Sequence, residues 1–274
     1  MTKRIVEESS LVSVANAIRS KAELTGSLTF PDGFVSAIGG IKGGSNLAPM
    51  VDGSITEVTA DMLEGCTKIR DYVFRGCTSL INVVIPDGVS SIGKYAFHTC
   101  SNLTSVIISD SVTSIDNSAF QNCSKLTGVV IPDGVTSIGA NAFANCSELA
   151  GIIVIPSGVT SISPSVFASC SKLTGVVIPD GVTSIGGDSF HTCSNLTSVI
   201  IPDSVTSIGY TAFANCSNLT TVEMKRTTPP TLSSSAFKNC TALTQIIVPV
   251  GTLSAYQSAT NWSKYANLMV EASA

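Results

Sequence analysis

The chain has 274 residues, 44% of them hydrophobic and only 12% charged, with a net charge of −4. Its longest apolar bursts, such as GVVIP and GIIVIP, fall far short of the ~18–20 consecutive apolar residues of a membrane-spanning helix, so no membrane insertion is expected. The acidic balance leaves no basic patch, which argues against nucleic acid as a partner.

The opening MTKRIVEESSLVSVANAIRSK places Glu7, Glu8, Ser9 and Ser10 where an apolar h-region would stand, so it does not read as a secretion signal. Residues 1–44 are expected to form a helical N-terminal module with a Gly-rich joint. Leu11, Val14, Ala15 and Ile18 share one helical face behind Ser9 or Ser10 as N-cap. The stretch LTFPDGFVSAIGGI reads as a turn and a second short helix carrying Phe34, Val35 and Ile38, and Gly39-Gly40 and Gly43-Gly44 mark the joint. The segment LVSVANAIRSKAELTGSLTFPDGFVSAI is similar to N-terminal segments of prophage-encoded tail-associated proteins of Gram-positive gut bacteria. Two compatible roles follow for it: a cap on the first coil of what comes next, and a module that binds an assembly partner.

From residue 45 to 250 the chain repeats itself. The nine cysteines are Cys66, Cys77, Cys100, Cys123, Cys146, Cys170, Cys193, Cys216 and Cys240, spaced 11, 23, 23, 23, 24, 23, 23 and 24 residues apart. Eight phenylalanines, from Phe74 to Phe237, each stand three residues before a cysteine. The spacing is read as placing every cysteine in one register of one repeat. In the unit CSKLTGVVIPDGVTSIGANAFAN the apolar positions are Leu126, Val129, Ile131, Val135, Ile138, Ala142 and Phe143, with Cys146 opening the next unit. Leu-x-x-Val-x-Ile alternates as a strand with one buried face, Pro132-Asp133-Gly134 turns the chain, and Val135-x-x-Ile138 is a second short extended piece. Ala142-Phe143-x-x-Cys146 returns over the core as a helical turn or loop. One such unit cannot bury its own apolar edge; stacking closes the core, which is the logic of a solenoid.

The pattern Leu-x-x-Val-x-Ile-Pro-x-x-Val-x-x-Ile-Gly-x-x-Ala-Phe-x-x-Cys resembles the 23-residue leucine-rich repeat of the BspA type, also called the Treponema pallidum type. The resemblance implies a right-handed solenoid with parallel sheets and a non-enzymatic binding or adhesion role, and carries over no catalytic residue; the expected fold is thus a β-rich leucine-rich-repeat solenoid with short helical caps at both ends. The sequence departs from the pattern at Glu223–Pro230, EMKRTTPP, where charge is expected to replace the second strand, and at the 11-residue unit before Cys77.

Several tempting signals dissolve in the repeat. His98 and His191 sit in the copied block HTCSNLTSVII, two residues before Cys100 and Cys193, at a slot held elsewhere by Gln121, Ala144, Ala168, Ala214 and Lys238. A zinc site needs about four converging ligands, typically paired cysteines, and no two cysteines here are closer than eleven residues. No metal and no cofactor is expected. With two separated histidines and no Gly-x-Ser-x-Gly there is no nucleophile–base–acid set, so no catalytic residue is assigned. The recurrent Asp87, Asp133, Asp180 and Asp203 are turn chemistry rather than a calcium row. Nine is an odd number and stacked side chains point the same way, so the cysteines are read as a reduced, buried ladder rather than disulfides.

The candidate binding residues lie between the Val and the Ile of each long strand, where the side chain must face away from the core. They are Val84, Ile107, Val130, Ile153, Val177 and Ile200, with Ile153 placed across a one-residue insertion. Beside them Asn82, Ser105, Gly128, Gly175 and Ser198 are small or polar. The apolar row reflects either β-propensity, since β-branched residues suit strands even when exposed, or a recognition strip.

Residues 251–274 complete the chain as a helical cap after a last strand at Ile246–Val248, with Tyr256, Trp262 and Tyr265 folding back on the final coil to cover it. The expected function is a non-enzymatic binding or adhesion solenoid with a protein or cell-surface glycan ligand. Its setting is a phage or tail-like particle, as the host-recognition part, or a bacterial cell surface, as an adhesin whose leader or anchor lies outside this chain.

Overall fold

The structure, a computed structural model, describes residues 55–273. They wind into a parallel β-solenoid of about nine turns of ~23 residues. Most coils supply a long and a short strand. The first coils give β1 (Glu57–Val58) and β2 (Lys68–Ile69), β3 (Asn82–Ile85) and β4 (Ser91–Ile92), β5 (Ser105–Ile108) and β6 (Ser114–Ile115), then β7 (Ser137–Ile138) without a long strand before it. Next come β8 (Gly151–Val154) and β9 (Ser161–Ile162), β10 (Leu173–Val177) and β11 (Ser184–Ile185), and β12 (Ser198–Ile201) and β13 (Ser207–Ile208). The last pairs are β14 (Thr221–Met224) and β15 (Thr231–Leu232), then β16 (Gln245–Val248). Long strands pair with long and short with short, always in parallel, so each residue type stacks on its equivalent in the next coil. Helical expectations for residues 1–44 lie outside the described residues.

The third side of each coil is a turn, and it carries the most regular part of the core. Phe74, Phe97, Phe120, Phe143, Phe167, Phe190, Phe213 and Phe237 stack face to face with centroids 5.1–5.8 Å apart. Their backbones are tied across coils too: Phe120 N–H donates to Ala142 O at 2.8 Å and Phe143 N–H to Val166 O at 2.9 Å. Each phenylalanine carbonyl from Phe74 to Phe213 accepts twice. The N–H of the cysteine three residues on donates to it, and so does the thiol of the next coil: Cys100 Sγ to Phe74 O at 3.1 Å, Cys123 to Phe97 at 3.2 Å, and so on to Cys240 and Phe213 at 3.0 Å. Cysteine is the one small apolar side chain that also brings a donor, weak as it is. The sequence alone had suggested only a buried hydrophobe.

Cys66 is not part of this row. Ser90 N–H donates to Thr67 O at 2.8 Å and Lys68 pairs with Ser91, which aligns Cys66 with Val89. It fills the apolar position held in later coils by Val112 and Val135, so the 11-residue spacing is not a short repeat. The single-register reading holds for eight cysteines and fails for the first. A second correction concerns Glu223–Pro230. The second strand does form after it, as β15, and pairs with β13; the charges occupy an outward strand position and the turn instead.

At the C-terminal end, α1 (Leu253–Ser258) and a 3-10 helix (Ser263–Leu268) cover the last coil. Tyr256 and Trp262 are wholly buried. Trp262 Nε1 donates to Pro230 O at 2.8 Å and the Tyr256 hydroxyl to Arg226 O at 2.7 Å. Tyr265 closes the phenylalanine column edge-on against Phe237 at 5.9 Å. One element the sequence did not announce follows: β17 (Met269–Glu271) pairs with β16 and adds a strand beyond the last repeat.

The buried ladder makes the fold sensitive to alkali. Burial pushes the Cys77 thiol from its ordinary 9.0 up to about 11, and those of Cys100, Cys146 and Cys193 up to about 12. A raised folded-state pKa favours folding fully below the unfolded value, and that contribution is lost as pH climbs from about 9 through about 12. Cys146→Ala should therefore lower stability at neutral pH, yet make the fall of stability across that window shallower by about 1.4 kcal/mol per pH unit. Denaturant titrations at successive pH values measure this; identical slopes for variant and wild type would mean the thiol is not held protonated by burial.

Candidate functional site

The outward face of the long strands is set by parity. Val83, Val106, Val176 and Val199 point inward and are buried, which turns Val84, Ile107, Val177 and Ile200 outward. Val84 and Ile107 are half-buried by their neighbours, whereas Val177 and Ile200 are 47% and 51% exposed. Val130 is also exposed. Pairing aligns the row directly: Val84 with Ile107, and Ile200 with Glu223 in the following coil.

Ile153 is a correction. It is only 2% exposed, while its neighbours Ile152 and Val154 are each 38% exposed. Ile153 pairs with Val176, an inward residue, and Val154 with Val177, an outward one. The extra residue of this coil is taken up between Leu149 and Ile153, at Gly151, whose φ of +84° suits glycine. Counting forward from Leu149 therefore reverses the parity, and Val154 takes the outward place. Ile152 adds a second exposed apolar side chain, leaning over Gly175, where a Cβ would come within 3.2 Å of Ile152 Cγ1.

The long-strand sheet is interrupted beside the insertion and again between β10 and β12. β5 pairs with β3 on one side only, and β8 with β10 only; between them Gly128 makes a single bridge to Ser105. The short-strand sheet breaks one step later, between β7 and β9. Val129, expected in the core, is half-buried. The turn side bridges this fault without a break, with Asn145 N–H donating to Ala168 O at 2.7 Å and Phe143 stacking on Phe167 at 5.5 Å. The exposed residues Val130, Ile152, Val154, Val177 and Ile200 thus cluster over and just beyond the fault; Glu223, which pairs with Lys225 at 2.5 Å, then interrupts the row before it resumes at Ile247 and the exposed Val270.

The histidines are held in side-chain ladders. His98 Nδ1 shares a hydrogen bond with the Thr99 hydroxyl at 2.8 Å, and His191 with Thr192 at 3.0 Å; Asn215 Nδ2 donates to His191 Nε2 at 2.9 Å when that nitrogen is unprotonated. Burial, with the nearby Arg75, lowers the His98 pKa. Among the described residues no group of three His, Cys, Asp or Glu side chains could hold a metal ion. No helix among them is long and apolar enough to cross a membrane.

Residues 52–174 and 160–270 match the BspA type leucine-rich repeat region, in six copies. Among solved structures, a leucine-rich repeat protein of T. pallidum is 30% identical with a TM-score of 0.52, over 56% of this chain and 71% of that one. A leucine-rich repeat protein from Bacteroides ovatus is 26% identical with a TM-score of 0.43, over 66% of this chain and 58% of that one. A leucine-rich cell surface protein from Faecalibacterium prausnitzii is 26% identical with a TM-score of 0.38, over 78% of this chain and 69% of that one. No curated protein matches the chain.

The parity reversal can be tested with two neighbouring substitutions. Ile153→Glu buries an unpaired charge and should cost about 4 kcal/mol or more, or prevent folding; Val154→Glu should cost less than about 1 kcal/mol. Chemical denaturation of both variants checks this, and equal losses would put both side chains in the same environment.

Proposed function

We propose that this chain, which belongs to the BspA-type leucine-rich repeat family, is a non-enzymatic adhesion protein that offers the outward face of its long strands to a protein ligand. The observation that carries the reading is the strip Val130, Val154, Val177 and Ile200 with Ile152 beside it, five exposed β-branched residues on neighbouring coils. Strand propensity would also favour such residues. The next coil, however, carries Glu223 in register with Ile200 and still pairs on both sides, so the fold does not need an apolar residue there. Contiguous exposed apolar surface of this kind marks interaction sites more often than isolated residues do. Earlier in the row, Val84 and Ile107 are half-buried and extend the same face.

The family and the face together favour a bacterial cell-surface adhesin. The alternative, host recognition in a phage or tail-like particle, is what the resemblance read in the sequence of residues 1–44 would imply; in that setting those residues would engage the assembly partner.

Labelled protein applied to epithelial cell layers and to bacterial cells separates the two settings, since an adhesin should bind the first and a tail component the second. In either case the double variant Val130→Glu, Val177→Glu should reduce binding by at least about tenfold while the melting temperature stays within about 2–4 °C of wild type. Undiminished binding by the folded double variant would move the site off this face.

A further inference from the structure

A second cluster lies elsewhere in the coil, in the turn that follows the short strand. Five residues before the ladder cysteines from Cys123 to Cys216 the backbone takes positive φ: 56° at Ser118, 58° at Asn141, 56° at Ser165, 56° at Asp188 and 50° at Thr211. These are small polar residues, and Asn and Asp are the non-glycine residues best suited to that conformation. In the two coils before them the same place is taken by Tyr72 at 62° and Tyr95 at 55°. A bulky aromatic ring gains nothing from left-handed backbone, and such outliers gather at functional sites.

The two rings lie parallel, 5.1 Å apart with an interplanar angle of 8°, and Tyr72 is 43% exposed. The guanidinium carbon of Arg75 stands 5.7 Å from the Tyr72 centroid and 5.9 Å from that of Tyr95. Arg75 is exposed, and among the described residues it forms no ion pair. The His98 ring meets Tyr95 edge-on at 5.4 Å, fixing the ring from behind. The later coils repeat the turn backbone without rings or guanidinium, so the fold does not require them.

We propose that Tyr72, Tyr95 and Arg75 form a binding site for an acidic sugar within a glycan, separate from the apolar strip. The exposed tyrosine face, negative at its centre, suits the partially positive C–H face of a pyranose. The phenol hydroxyls offer donors and acceptors to sugar hydroxyls. The guanidinium presents a planar fork of donors that matches a carboxylate in two-point contact. A neutral sugar would leave that charge unused, and an aliphatic peptide would use neither the fork nor the hydroxyls.

The test is calorimetric titration of the full chain with tetragalacturonate and sialyllactose as acidic probes, against maltotetraose and lactose as neutral ones. At least one acidic probe should bind, and the neutral ones should bind at least about tenfold more weakly. Arg75→Gln, a surface change, should weaken acidic-sugar binding by about tenfold or more without moving the melting temperature. Tyr72→Asn, which installs the residue found at the equivalent position 141, should fold and also lose binding. The Val130→Glu, Val177→Glu variant should bind the acidic sugar as wild type does, which keeps this site distinct from the strip whatever becomes of the strip's own role. No binding of either acidic probe by wild type, equal binding of neutral probes, unchanged binding by Arg75→Gln or Tyr72→Asn, or loss of binding in the strip variant would each overturn the proposal.

Discussion

The doubly used phenylalanine carbonyl is the contact on which the rest of this solenoid depends. It accepts the N–H that closes its own turn and the thiol that rises from the next coil, while its ring stacks on the ring above. The coil rise, close to the ~4.8 Å of strand pairing, brings the aromatic faces to 5.1–5.8 Å, within the range where parallel offset rings attract. Backbone pairing, ring stacking and thiol donation therefore demand one and the same spacing. A coil that satisfies one satisfies all three. In the 24-residue coil from Cys146 to Cys170 the extra residue falls in the long strand and the sheets are interrupted there, while the column of rings passes it without a change of partner; in the 24-residue coil from Cys216 to Cys240 it falls in the turn and both sheets continue.

A core fixed in this way leaves the outward positions free to vary. The same strand position holds Ile107, Val130, Val177, Ile200 and then Glu223, and the same turn position holds Tyr72, Asn141 and Asp188, on one repeated backbone. Binding chemistry can thus be placed by single substitutions that the scaffold does not register. Five exposed apolar residues gather over and just beyond the fault, and the tyrosine pair sits in the first described coils. The two surfaces differ in chemistry as well as in place, one dry and branched, the other aromatic and cationic.

Much of this was legible in the sequence because a solenoid turns periodicity directly into position. The inward and outward assignments at Val84, Ile107, Val177 and Ile200 followed from alternation alone. Where the period changed, inference across the change failed. Ile153 was counted forward from Leu149 through an insertion whose location only the backbone at Gly151 reveals, and a one-residue slip reverses a strand's faces. Counting back from Pro156 would have given Val154. Cys66 misled because its identity matched the ladder while its register matched the valine row; the absence of a phenylalanine three residues before it was the available signal. The strand β17 lies outside the repeat and borrows its pairing from β16, so no local pattern announces it. The thiol-to-carbonyl bonds could not be read at all, since they join residues 26 or 27 apart through the geometry of a turn. The tyrosine pair was missed for a related reason: only the structure shows that Tyr72 and Tyr95 share a conformation and a neighbour in Arg75.

The claim that one continuous aromatic and thiol column holds both sides of the fault together is tested most directly at Phe143, whose ring lies between Phe120 at 5.4 Å and Phe167 at 5.5 Å. Chemical denaturation of Phe143→Ala should show a loss of about 3–5 kcal/mol, as expected when a large buried ring is removed and cannot be replaced by collapse. A variant as stable as wild type would contradict the account, because the column could then be cut at the fault without consequence.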